Sequence, residues 1–130
     1  MVQEKRAYYR LPKETIVKCK KIEYSDNIKE EEVKTKNISA NGLLLVSKTP
    51  YNIGDYLKIS VTLPLMHKYK TSVQKLMVNP YEEPLVVIGK VVRVEKFDNK
   101  YEIGIMFEGI YEDDFNALLN YIEDVKKIYE

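Results

Sequence analysis

Two groups of residues in this chain have the types and spacing to do chemistry. The first is Lys5-Arg6-Ala7-Tyr8-Tyr9-Arg10. Of the 21 basic residues only three are Arg, and two of those three, Arg6 and Arg10, stand four apart beside the N-terminus. The guanidinium is a rigid five-donor fork that Lys cannot copy. It can bond two acceptors on a guanine edge, stack on a ring, or pair with phosphate. Two forks with a cation and aromatics between them suit a planar anionic ligand. The second group is Asn37-Ile38-Ser39-Ala40-Asn41-Gly42. Asn and Ser offer short, stiff hydrogen-bonding side chains, and Asn41-Gly42 is expected to supply the left-handed backbone of a tight turn. By itself such a segment is more often just a turn.

Other chemistry lacks its residues. One Cys and one His leave no disulfide framework and no His/Cys metal cluster. His67 sits in a basic stretch with no nucleophile pattern, and Cys19 beside Val17 reads as a small core residue. The adjacent carboxylates Glu82/Glu83 and Asp113/Asp114 point apart. No nucleophile elbow, metalloprotease or phosphate-loop motif occurs. The inventory argues against an enzyme. No apolar run approaches about 18 residues, so no membrane-spanning helix is expected. The start, MVQEKRAYYR, is not a secretory signal, and a reducing cytoplasm is the expected compartment.

The elements that must position these residues are mostly strands. The chain has 130 residues, the size of one domain. Tyr56–Leu63 alternates with Leu57, Ile59, Val61 and Leu63 on one face, and Tyr101–Phe107 does the same with Tyr101, Ile103, Ile105 and Phe107. Thr15–Glu23, Glu31–Ile38, Leu43–Ser47 and Leu85–Glu95 also read as strands. Turn signals at Ser25-Asp26-Asn27, Asn41-Gly42, Asn52–Asp55 and Asp98-Asn99 separate them. Six short strands at this spacing predict a small barrel or sandwich. Phe115, Leu118, Ile122, Val125 and Tyr129 then repeat at helical spacing, with Leu119 on the same side and Asp113 or Asp114 as cap. This amphipathic helix is expected to pack across the barrel mouth. Residues 66–84 fit neither pattern and read as a long basic loop.

Charge is uneven although the net is +1. Residues 1–21 carry seven cations against Glu4 and Glu14, and residues 108–130 carry seven carboxylates against Lys126 and Lys127. The near-neutral total argues against bulk nucleic-acid binding. Single-stranded nucleic acid on the basic arm and its tyrosines is a further reading, weakened by the acidic C-terminus.

Taken together and in this order, the two groups resemble the PilZ domain family. Its signature is R-x-x-x-R followed about thirty residues later by [DN]-x-S-x-x-G. Arg6–Arg10 matches the first part and Asn37–Gly42 the second. Gly42-Leu43-Leu44-Leu45, Asn52-Ile53-Gly54-Asp55 with Leu63-Pro64-Leu65, Gly89–Arg93 and Tyr101–Phe107 resemble the family's strand signatures. The resemblance spans nearly the whole chain.

The resemblance implies an all-β fold with a C-terminal helix, a six-stranded antiparallel barrel of the PilZ type. It implies a flexible ligand-binding arm over residues 1–12, a barrel over 13–110 and the helix over 111–130, in a single domain. It also implies a bacterial receptor for the second messenger cyclic di-GMP, with no other cofactor and no metal. Arg6 and Arg10 would grip guanine edges and phosphates, Asn37 and Ser39 would hold the nucleotide from the barrel surface, and Gly42 would let the backbone close on it, with Asn41 beside it. Ordering of the arm would be the signal, passed to a protein effector such as a flagellar motor component. Asn37 stands where many members have Asp, which removes a charged acceptor. Lys5 before Arg6 goes in that family with a stacked pair of nucleotides, hence two per protein. Val2–Arg6 resembles the linker of flagellar-brake (YcgR-like) proteins, so the chain reads as a lone domain or as a piece of a longer protein. The alternative function is a PilZ-like scaffold that no longer binds nucleotide and works through protein–protein contacts.

Overall fold

Alternation of apolar and polar residues turns one face of each strand inward, and in a computed structural model of the chain those faces close into a barrel. The structure describes residues 8–23, 30–63 and 85–129. Among these the strands are β1 (Leu11–Pro12), β2 (Ile16–Lys21), β3 (Glu31–Ser39), β4 (Gly42–Ser47), β5 (Tyr56–Val61), β6 (Leu85–Phe97) and β7 (Lys100–Gly109), followed by helix α1 (Glu112–Tyr129). Every pairing is antiparallel. The ring runs β2-β5-β6-β7-β4-β3 and closes by β3 pairing with β2. Closure leaves the six ring strands no free edge. The expected six-stranded antiparallel barrel with one C-terminal helix is what forms.

The interior is built from the predicted faces. Leu57, Ile59, Val61 and Leu63 are all buried, as are Ile103 and Ile105, while Tyr101 and Phe107 pack half-buried at the margin. Burying such side chains supplies roughly 1.5–3 kcal/mol each. Helix α1 adds Leu118 and Ile122 as its periodicity requires, and also Ala117 and Tyr121, which the spacing does not single out. It packs on β1 and β3. Asp113 and Asp114 lie in its first turn with Glu112, where they favour the positive end of the helix dipole, and Lys126 and Lys127 lie in its last turn. None of the described helices is long and apolar enough to cross a membrane. The 66–84 stretch and His67 lie outside the described residues.

β1 is a strand that the sequence pattern does not predict. Leu11 and Pro12, expected to belong to the flexible arm, pair with Ile38 and Asn37 of β3. Leu11 is fully buried, and removing an apolar side chain from water is what draws these two residues onto the barrel. β1 and β2 follow one another along the same edge of β3. Thr35, buried at their junction, donates its hydroxyl to the Lys13 carbonyl at 2.7 Å and accepts from Thr15 N–H at 3.1 Å. The β3–β4 register shifts just beyond it, between Thr35 and Asn37.

A second polar cluster ties β2, β3 and β4 to the segment that follows β4. The Glu31 carboxylate accepts from Ser47 and from the Tyr51 hydroxyl, both at 2.8 Å. Cys19, opposite Glu31 in the β2–β3 pairing, lies 3.5 Å from the Tyr51 oxygen. Burial pushes the Cys19 thiol up to about 11, the Tyr51 hydrogen bond pulls it down, and the Glu31 charge adds to the rise. Burial also raises Tyr51, with Cys19 and Glu31 acting in the same direction.

A thiol with its folded pKa raised from 9.0 to about 11 keeps its proton where the unfolded chain has lost it. Stability therefore falls as pH rises through that window. Chemical denaturation from about pH 8 to about pH 11 is expected to show this decline, with a shallower slope in Cys19→Ala.

Candidate functional site

The β1–β3 pairing joins the two motifs. Its register sets Leu11 opposite Ile38 and Pro12 opposite Asn37, and Arg10 is the residue that leads into β1. Strands in a sheet lie about 4.8 Å apart. The residue after the second arginine of R-x-x-x-R is thus paired directly with N-x-S-x-x-G. Alternation turns Leu11 inward and leaves Arg10 exposed. Arg10 and the half-buried Asn37 make no ion pair or hydrogen bond among the described residues. A cationic fork and a carboxamide with open hydrogen-bonding capacity, on segments joined by the β1–β3 pairing, can bind a polar, anionic ligand. Lys5 and Arg6 lie outside the described residues.

Ser39, Asn41 and Gly42 are brought together, in a different arrangement from the one the sequence suggests. Ser39 is buried. Its hydroxyl lies 2.7 Å from Asn41 Oδ1 and 3.2 Å from the Gly42 carbonyl, and it accepts from Asn41 N–H at 3.3 Å. This serine holds the turn. Its bond to Asn41 Oδ1 leaves the Asn41 side-chain NH₂ pointing its donors elsewhere. Ser39 pairs with Gly42, so the loop is Ala40-Asn41. The expected left-handed backbone at Asn41-Gly42 is absent: among the described residues only Asp98 and Gly54 have positive φ. Gly42 is required for another reason. A Cβ there would collide with the Ile105 carbonyl oxygen of β7, and the Phe107 N–H donates to the Asn41 carbonyl at 2.8 Å. Close approach of β7 excludes a side chain at Gly42 and fixes the turn against the barrel.

Arg93 shares a row with Asn37 around the barrel: Asn37 pairs with Leu44, Leu44 with Gly104 and Gly104 with Arg93. It is half exposed and engaged in ion pairs, 3.6 Å from Glu95 and 3.9 Å from Glu102, and Glu102 also accepts from Lys36 at 2.7 Å. Exposed pairs of this kind contribute between zero and about 1 kcal/mol.

The residues that sequence reasoning missed are those that hold the arm. Tyr8 meets Phe115 of α1 edge to face, ring centroids 5.7 Å apart at 84°. Tyr9 packs against the core and carries the Lys126 ammonium 4.9 Å from its ring centre. The signal available was aromatic residues inside R-x-x-x-R. Nothing in the linear order pointed to α1 as their partner.

A family model described as the PilZ domain matches residues 4–124. No curated protein matches the chain. Among the solved structures similar in fold are the following three. One is the Bacillus subtilis inhibitor of motility (MotI/DgrA), at TM-score 0.69 and 18% identity, over 98% of this chain and 54% of that one. Another is the K. pneumonia MrkH–c-di-GMP complex, at 0.67 and 18%, over 98% and 54%. The third is the PilZ domain with c-di-GMP of YcgR from Escherichia coli, at 0.63 and 11%, over 97% and 95%. The chain spans about half the length of the first two.

Gly42→Ala is expected to lower stability by about 1–3 kcal/mol, because the new methyl group must push β7 away from β4. Urea denaturation of the two proteins measures it, and an unchanged midpoint contradicts the close approach.

Proposed function

Because the chain belongs to the PilZ domain family, we propose that it is a receptor for cyclic di-GMP that acts as a regulatory effector module. The observation that carries this reading is the β1–β3 register, which pairs Leu11 and Pro12 with Ile38 and Asn37 and so brings the end of R-x-x-x-R to the strand that carries N-x-S-x-x-G. The c-di-GMP complexes of the MrkH and YcgR neighbours support it.

Each residue then has a role. Arg6 and Arg10 clamp guanine edges and phosphates from the arm, residues 1–12. Charge-assisted, two-point contacts of this kind are the strongest hydrogen bonds a surface offers. Asn37 accepts or donates at the guanine edge, more weakly than an Asp would. Ser39 and Gly42 hold the turn in shape, and Asn41 directs its NH₂ toward the ligand. Lys5 adds charge for a second, stacked nucleotide, giving two per protein. The barrel, residues 13–110, is the platform, and the helix, residues 111–130, closes it.

Binding orders the arm at an entropic cost and yields a change of shape, not a reaction. That change passes in the cytoplasm to a protein partner. A flagellar motor component is the partner class suggested by the motility inhibitor among the neighbours.

Isothermal titration calorimetry with cyclic di-GMP tests the reading and reports stoichiometry. Saturable heat is expected, and none at tens of micromolar overturns it. Partner binding that persists without any nucleotide heat favours the scaffold alternative. In Arg10→Ala the loss is expected to be roughly 1.5–3 kcal/mol, about 10- to 150-fold in Kd. Its melting temperature should not change, because the side chain is exposed and carries no described contact.

A further inference from the structure

R-x-x-x-R leaves three residues unspecified between its arginines, and here two of them, Tyr8 and Tyr9, are bound to the C-terminal helix. Neighbouring side chains leave the backbone in different directions, which lets adjacent tyrosines reach well-separated points on α1. Phe115 and Lys126 are eleven residues apart, about 16 Å along a helix axis. The two tyrosine side chains therefore meet α1 at points three turns apart, just before Leu11 enters the barrel. The edge-to-face ring pair at Tyr8 has the favoured geometry for aromatic contact. The Lys126 ammonium over Tyr9 is within cation–π range. Both tyrosines and both helix residues are half-buried, so these contacts are partly shielded from water.

We propose that Phe115 and Lys126 of α1 are positioning residues for the ligand arm, holding Tyr8 and Tyr9 so that Arg10 is kept at the entry to β1. They act through the arm and need no contact with the ligand. The binding part of this proposal rests on the cyclic di-GMP reading above, and the anchoring part does not. Coupling between sites is reciprocal, so a nucleotide that favours the docked arm tightens the docking of α1 by the same factor. Helix α1 then senses whether the nucleotide site is filled, and it is the element placed to carry that state to a partner.

Two measurements on the full chain separate the parts. The first needs no nucleotide: trypsin cleavage between Arg10 and Leu11, followed by mass spectrometry. Phe115→Leu keeps an apolar side chain but loses the ring, and it is expected to speed this cleavage about two- to tenfold, in line with the worth of an aromatic pair. Phe115→Tyr keeps the ring and should match the wild type. Lys126→Met keeps the apolar stem, loses the cation and should also speed cleavage. The second measurement is cyclic di-GMP calorimetry, where Phe115→Leu is expected to raise Kd by a similar factor and Phe115→Tyr to restore it. Thermal melting monitors the fold in parallel. A purely structural role for Phe115 would move the melting temperature and the cleavage of core sites together, with no rescue specific to the ring. Equal Arg10 cleavage in wild type and Phe115→Leu overturns the anchoring. Faster cleavage with unchanged Kd overturns the positioning role. Faster cleavage with no nucleotide heat in the wild type supports the anchoring and overturns the receptor reading alone.

Discussion

Leu11 is fully buried opposite Ile38, and the placement of the residues on either side of it follows from that contact. The segment between β1 and β2 is short, so a buried Leu11 forces Pro12 against Asn37 and leaves Arg10 at the barrel surface. The backbone of this stretch is not left to water. Lys13 N–H donates to the Lys36 carbonyl, Thr35 N–H donates to the Thr15 carbonyl, and the Thr35 hydroxyl closes the remaining gap. A buried polar group that lost such a partner would cost about 1–3 kcal/mol. One apolar anchor and one buried threonine thus tie residues 11–15 to the edge of β3.

The barrel makes this possible by closing. Because β3 is paired on one edge with β4, its other edge must serve both β2 and β1, and the two strands share it end to end. Closure also sets the turn between β3 and β4. β7 approaches β4 so closely that only glycine fits at position 42, and the Asn41 carbonyl extends the ladder to Phe107. At the Cys19–Glu31–Tyr51 cluster the same principle holds: the buried polar atoms bond one another, and among the described residues no buried side-chain polar atom lacks a partner.

Much of this architecture is legible in the sequence. Period-two alternation at 56–63 and 101–107 identifies the inward faces correctly, because alternation depends only on the pleat of a single strand. The 3-4-3-4 spacing of the helix finds Leu118 and Ile122 for the same local reason. β1 is not legible, since two residues carry no period and their strand character comes wholly from β3. The role of Gly42 is misread from sequence because glycine before an apolar run has a local explanation, left-handed backbone, that competes with a non-local one, close approach of another strand.

The linear chain by itself determined the fold class, the strand faces and the two motifs, since each is a property of neighbours in sequence. Tertiary structure alone decided what those motifs meet. It paired Leu11 and Pro12 with Ile38 and Asn37, occupied the Ser39 hydroxyl inside its turn, and set Arg93 between Glu95 and Glu102. It also laid Tyr8 and Tyr9 on a helix more than a hundred residues away in sequence. These facts depend on strand register and barrel closure, which bring together residues that no local pattern relates.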